Sequence, residues 1–146
     1  MTDILFYVLA ATTIVEQQQF VCRLTEKALS QGKRVYIHTG SRNHAEQLDR
    51  QLWEFRDSAF VPHSLVDEQR PVGQSPVHIG WHEAPPEQHD VLINLHHQLP
   101  SFFGRFDRLV EVVIQHDAVL EHTRDHFRFL RDRGYPITHQ DMRLRT

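Results

Sequence analysis

The feature that most constrains the fold is a recurrence. Short, nearly continuous apolar runs alternate with segments whose apolar residues repeat at helical spacing. The runs are Ile4 to Ala10 (ILFYVLA), Arg34 to Thr39 (RVYIHT), Val91 to Leu95 and Leu109 to Ile114 (LVEVVI). Such runs, rich in β-branched and aromatic residues, suit strands buried on both faces, as in parallel sheets covered by helices. Between them, Phe20, Val21, Leu24 and Ala28 lie at helical spacing within 15–31, with Thr12 and Thr13 placed to cap and Gly32 to stop the helix. Ser41 caps a second helix with inner face Ala45, Leu48 and Leu52, ending near Arg56. A third runs from Asp117 to about Arg133, closed by Gly134 and Pro136. Phe60 to His63 reads as a short extended piece, 77–81 as a strand and 102–106 as a helical turn. This order predicts a single α/β domain over residues 1–146, with a largely parallel, Rossmann-like sheet covered by helices on both faces. The polar tail, 138–146, is expected to fray.

Charge narrows the function. The chain has 16 basic and 19 acidic residues, a net charge of −3. That argues against a protein whose main task is gripping phosphate backbones without specificity, since such surfaces carry a basic surplus. The basic residues are nonetheless unusual: all but Lys27 and Lys33 are arginines, crowded toward the end at positions 105, 108, 124, 128, 131, 133, 143 and 145. Arginine favours fixed, bidentate recognition of carboxylate or phosphate. The lone cysteine, Cys22, permits no internal disulfide and fits a cytoplasmic location. The apolar run at the N-terminus is too short for a membrane span and lacks the basic flank of a signal peptide.

Catalytic chemistry is hard to find. The first strand-to-helix turn, Ala10 to Ile14, contains no glycine, and neither a dinucleotide fingerprint nor a Walker A sequence occurs. The turn His38-Thr39-Gly40-Ser41 could hold an anion at a helix N-terminus, though a plain turn with an N-cap is the better explanation. His122 and His126 share a helix face, but Thr123, Arg124 and Asp125 between them do not form a metal motif. His96 and His97 would point to opposite faces of a strand. Cys22 reads as a small buried helix residue. No catalytic residue, metal site or cofactor is expected, which favours a binding module. The alternatives are a nucleotide- or metal-dependent enzyme on the same sheet, or direct binding of single-stranded DNA helped by Arg143 and Arg145.

The last helix is the most informative element. At about 100° per residue from Arg124, Arg128 lies near +40° and Arg131 near −20°, giving one basic stripe. Leu120 and Phe127 border it at roughly −40° and −60°, while Glu121, Asp125 and Asp132 lie on the other margin at about +60° to +100°. Val119, Thr123 and Leu130 would face the core. A basic stripe with an apolar lip suits an acidic peptide with an apolar end. A solvated face with pairs such as Asp125–Arg128 fits the same periodicity, and both readings stand on spacing alone.

Several separated segments together resemble one family, the chi subunit of bacterial DNA polymerase III holoenzyme, a clamp-loader accessory protein. They are Phe6-Tyr7-Val8-Leu9, Phe20-Val21-Cys22, Gly32-Lys33-Arg34-Val35, Leu48-Asp49 with Leu52-Trp53, Phe60-Val61-Pro62-His63, Asp90-Val91-Leu92-Ile93-Asn94-Leu95, and Arg124 to Gly134. The resemblance implies a non-catalytic replisome adaptor with two partners. One is the psi subunit, which links it to the clamp loader; the other is the acidic C-terminal tail of single-stranded-DNA-binding protein. It assigns the tail to Arg124, Phe127, Arg128 and Val113, and the psi contact to Phe60. Where the family can carry a lysine early in this helix, the chain has Leu120, and Arg131 is placed to compensate.

Overall fold

In the computed structural model, which describes residues 1–54, 63–66 (as backbone), 76–82 and 88–144, seven strands form one sheet. The chain order is β1 (Asp3–Val8), α1 (Ile14–Ser30), β2 (Val35–His38), α2 (Arg42–Glu54), β3 (His63–Val66), β4 (Val77–Gly80), β5 (Val91–Asn94), a 3-10 turn (Ser101–Arg105), β6 (Arg108–Val113), α3 (Asp117–Asp132) and β7 (Ile137–Asp141). The strands lie in the order β3-β4-β2-β5-β6-β1-β7, and every neighbouring pair is parallel. The expected α/β class, Rossmann-like and covered on both faces, is what the chain adopts.

Alternation along the strands makes two cores. Ile37, Ile79, Ile93 and Val112 face α1 and α2, meeting Val21, Cys22, Ala45 and Leu48. Ile4, Phe6, Tyr36, Leu92, Leu109 and Val113 face the other way, toward Leu130 of α3 and Phe103 and Phe106 around the 3-10 turn. Local signals act as anticipated. Thr13 caps α1, its hydroxyl accepting from the Glu16 amide at 3.2 Å. Gly32 turns the chain out of α1 at φ +75°, a conformation that costs other residues strain. Cys22 is buried, and burial pushes its thiol up to about 12, far from reactive.

The tail departs from expectation. Residues from Thr138 do not fray at once; Ile137–Asp141 form β7, paired with β1 from Ile4↔Ile137 to Val8↔Asp141. The Met142 amide then donates to the Val8 carbonyl at 2.8 Å. The cause is the second edge of β1, whose backbone donors and acceptors need partners beside a half-buried core. Thr138, His139 and Gln140 are exposed, as an edge strand requires, so hydropathy does not reveal the strand. The Phe60 segment falls outside the described residues, apart from His63, which opens β3.

On the α3 side, Tyr36 is fully buried and donates its hydroxyl to the His82 carbonyl at 3.3 Å, passing over Gly80. A Cβ on Gly80 would meet the Tyr36 hydroxyl and lie 3.1 Å from its Cε1. Gly80→Ala should therefore destabilise the protein by about 1–3 kcal/mol through overpacking. A urea titration that showed an unchanged midpoint would mean the ring yields freely.

Candidate functional site

A cleft of about 520 Å³ opens where α3 leans over the carboxyl ends of β1 and β6. Phe6 and Val8 of β1 and Val113 of β6 form its floor. Leu120, Thr123, Arg124, Phe127 and Arg128 of α3 form one wall, and His139 of β7 closes the other. The aromatic packing is interlocked. Phe6 meets Phe127 edge-on at 6.1 Å and stacks on His139 at 5.4 Å, and Phe127 lies 5.4 Å from His139. Such contacts fix ring positions more firmly than area burial alone.

The rim is cationic but not uniformly free. Arg128 Nη2 bonds Asp125 Oδ1 at 2.7 Å, one helical turn away, with both groups exposed. Arg131 bonds Asp132 at 3.1 Å, and its guanidinium sits 5.6 Å from the Phe127 centroid. Arg124 makes no ion pair among the described residues.

Of the residues singled out from the sequence, Val113, Arg124, Phe127 and Arg128 converge on this cleft. Arg131 does not line it; it lies over the outer side of Phe127. Phe60 is outside the described residues. Thr123, expected in the core, lines the cleft instead and is half-buried. Leu120 adds apolar wall where the family resemblance leads one to look for charge. Sequence reasoning missed Phe6, Val8 and His139. The alternation Ile4, Phe6, Val8 could have placed two of these on one face. His139 left no signal, because it depends on a strand that polar residues build.

Between α3 and the ends of β5 and β6 lies a polar layer that periodicity did not reveal. Glu111, Asn94 and His126 are all buried. His126 Nδ1 lies 2.9 Å from Glu111 Oε1 and its Nε2 lies 2.9 Å from the His97 carbonyl, while Asn94 donates to Glu111 Oε2 at 2.7 Å. His96 and His97, expected on opposite faces of a strand, instead follow β5 in a bend and stack at 4.5 Å. His38 stacks on His96 at 5.1 Å. Burial first, then the neighbouring His96 and His82, pushes His38 from an ordinary 6.5 to about 4. Burial and nearby rings also lower His96 and His122. Among the described residues, no group of three or more His, Cys, Asp or Glu side chains is placed to hold a metal ion. Nor is any helix there long and apolar enough to cross a membrane.

Fold and cleft together define a Rossmann-like α/β domain with an arginine-edged apolar recess under its last helix. Comparison with known proteins gives the class a family. Residues 1–138 match the family model for the DNA polymerase III chi subunit, HolC. The chain is 42% identical over 144 residues to DNA polymerase III subunit chi of Pseudomonas aeruginosa, covering 99% of this chain and 98% of that one. It is 31% identical over 142 residues to subunit chi of Escherichia coli, covering 94% and 96% of the two chains. With subunit chi of Haemophilus influenzae the identity is 29% over 140 residues, covering 94% and 95%. The chain belongs to the DNA polymerase III chi subunit family.

The neutral histidines set an acid limit on stability. His38 stays unprotonated in the fold down to about 4, whereas the unfolded chain takes up that proton near 6.5. The unfolded state then binds more protons, so stability falls as pH drops from 6.5 toward 4. His38→Gln should flatten part of that fall in urea midpoints measured across this range, and an unaltered slope would remove His38 from the account.

Proposed function

We propose that this protein is a non-catalytic replisome adaptor, acting in the cytoplasm without a cofactor. It binds the acidic C-terminal tail of single-stranded-DNA-binding protein in the cleft and the psi subunit of the clamp loader through a surface around Phe60. The observation that carries the tail reading is the combination in one recess. An apolar floor of Phe6, Val8 and Val113 lies under a wall that carries Phe127, Arg124 and Arg128. A peptide with an apolar end residue buries that residue against the floor, and its carboxylates reach the guanidinium groups at the rim. The names of the relatives, all DNA polymerase III subunits, support a place in the replisome. DNA is reached only through these partners, in keeping with the net charge of −3.

The rim geometry ranks the arginines. Arg124 is free of ion pairs among the described residues, whereas Arg128 must loosen from Asp125 before it can serve a peptide carboxylate. Arg131 contributes from outside, by holding Phe127 and by long-range charge.

Two substitutions test this by fluorescence anisotropy with a labelled acidic peptide ending in an apolar residue. Arg128→Ala removes a charge-assisted hydrogen bond and should cost about 1.5–3 kcal/mol of binding, roughly ten- to a hundredfold in Kd, with little change in folding. Asp125→Asn releases Arg128 and removes a competing anion, so it should tighten binding. If both variants bound like the parent, the cleft would not be the tail site. For the other surface, Phe60→Ala should reduce co-purification with psi while leaving peptide affinity intact. Equal loss at both sites would point to a damaged fold instead.

A further inference from the structure

We propose that His126, held as an imidazolium between Glu111 and the His97 carbonyl, is the positioning residue that sets α3 over the cleft. The width of the cleft then follows the protonation of one buried ring. The inference rests on the peptide-binding reading of the cleft only for its effect on affinity.

Three residues of α3 are buried: Val119 near its start, Leu130 near its end and His126 between them. Apolar contacts such as those of Val119 and Leu130 tolerate sliding, because dispersion and burial are non-directional. A hydrogen-bonded ion pair does not, since it weakens steeply with distance and angle. His126 therefore supplies the middle of α3 with its directional tie to the sheet. The tie is well placed. Glu111 sits on β6 opposite Phe6 of β1, two residues before Val113. On the helix, His126 directly precedes Phe127 and lies within one turn of Arg124 and Arg128. The pair thus joins the strand that carries part of the floor to the turns that carry the aromatic wall and the rim.

The geometry also dictates the proton count. Both ring nitrogens of His126 face acceptors, Glu111 Oε1 and the His97 carbonyl, each at 2.9 Å. Beside a Glu111 carboxylate, a neutral imidazole has one N–H and would leave one of these two acceptors without its donor. Glu111 Oε2 is satisfied by Asn94, whose own Oδ1 accepts from the His96 amide at 3.2 Å. The network is complete when the ring is doubly protonated. The titratable groups facing His126 are Glu111 on β6, His96 and His97 after β5, and His122 and Asp125 on α3 itself. His96 and His122 are lowered by burial and stay neutral, so they do not repel the imidazolium near neutral pH. Burial opposes the charge on His126 as well. The Glu111 hydrogen bond and charge and the His97 carbonyl outweigh it, and the ring is raised above its ordinary 6.5. A raised histidine stabilises the fold below its unfolded value and loses that contribution as pH rises through the folded one.

The test follows the cleft rather than the helix alone. Carbon-13 methyl resonances of Val8 and Val113 are recorded against pH together with the His126 ring, in a His139→Gln background that removes the imidazole lining the cleft, while peptide affinity is measured with His139 in place. The methyls should titrate with the midpoint of His126. They should be flat over that range when His126→Arg supplies a fixed cation, and acidic-peptide affinity should fall several-fold as pH rises through the midpoint in the titrating protein only. Glu111→Gln offers a second route should the arginine fail to fold: it lowers the His126 midpoint, and the methyl midpoint must move down with it. Methyls that ignore His126, or that titrate unchanged in either variant, overturn the proposal. Methyls that follow His126 in a protein that binds no acidic peptide at any pH uphold the positioning role and overturn the peptide reading instead.

Discussion

Everything on the functional side of this molecule depends on the capture of β1 between β6 and β7. The first strand pairs on both sides with segments more than a hundred residues later, from Asp3↔Arg108 along one edge and from Ile4↔Ile137 along the other. Thr2 reinforces the joint by donating to the Phe106 carbonyl at 2.7 Å. A parallel strand cannot leave either row of backbone groups unpaired inside a covered sheet. Satisfying β1 therefore brings the two ends of the described chain together. The cleft is the by-product of that closure, with one strand from the start of the chain, two from its later part, and the intervening helix laid across them.

The fold was largely legible because its signals are local. Continuous apolar runs mark β1, β2, β5 and β6; Thr13 and Gly32 mark the ends of α1; and the stop at Gly134 closes α3. The candidate site was legible only in part, for the same reason. Helical spacing placed Arg124, Phe127 and Arg128 on one face, since that depends on residues a turn apart. Periodicity could not show that Thr123 would face the cleft, because the tilt of a helix on its sheet is set by packing. The partner of His126 was not legible, because Glu111 lies inside a run that reads as an ordinary strand. β7 was missed because edge strands are polar by necessity, so the residues that suit it for its position also hide it.

The charge of the chain makes physical sense at the scale of a few ångströms. An acidic protein is kept from indiscriminate contact with phosphate, while one helix offers guanidinium groups beside an apolar recess. Asp125 and Asp132 temper those groups, each holding an arginine at 2.7 and 3.1 Å. Exposed pairs of this kind contribute little to stability, which suits the proposed exchange of an internal carboxylate for one on a peptide. Beneath it, the only polar anchor among the three buried residues of α3 is a titratable one, which leaves the surface chemistry and the helix position under separate control.

The edge strand carries a consequence for how the protein comes into being. During synthesis β1 and α1 emerge long before β6, α3 and β7. Until those arrive, both edges of β1 and the apolar faces of Phe6 and Val8 have no native partner. Long-range parallel pairing of this kind is slow to form and leaves strand edges exposed meanwhile. The recess cannot exist on a partial chain, because His139 and Val113 are among the later residues to be made. Completion of the recess and completion of the sheet are thus a single event, and an unfinished copy lacks the proposed site altogether.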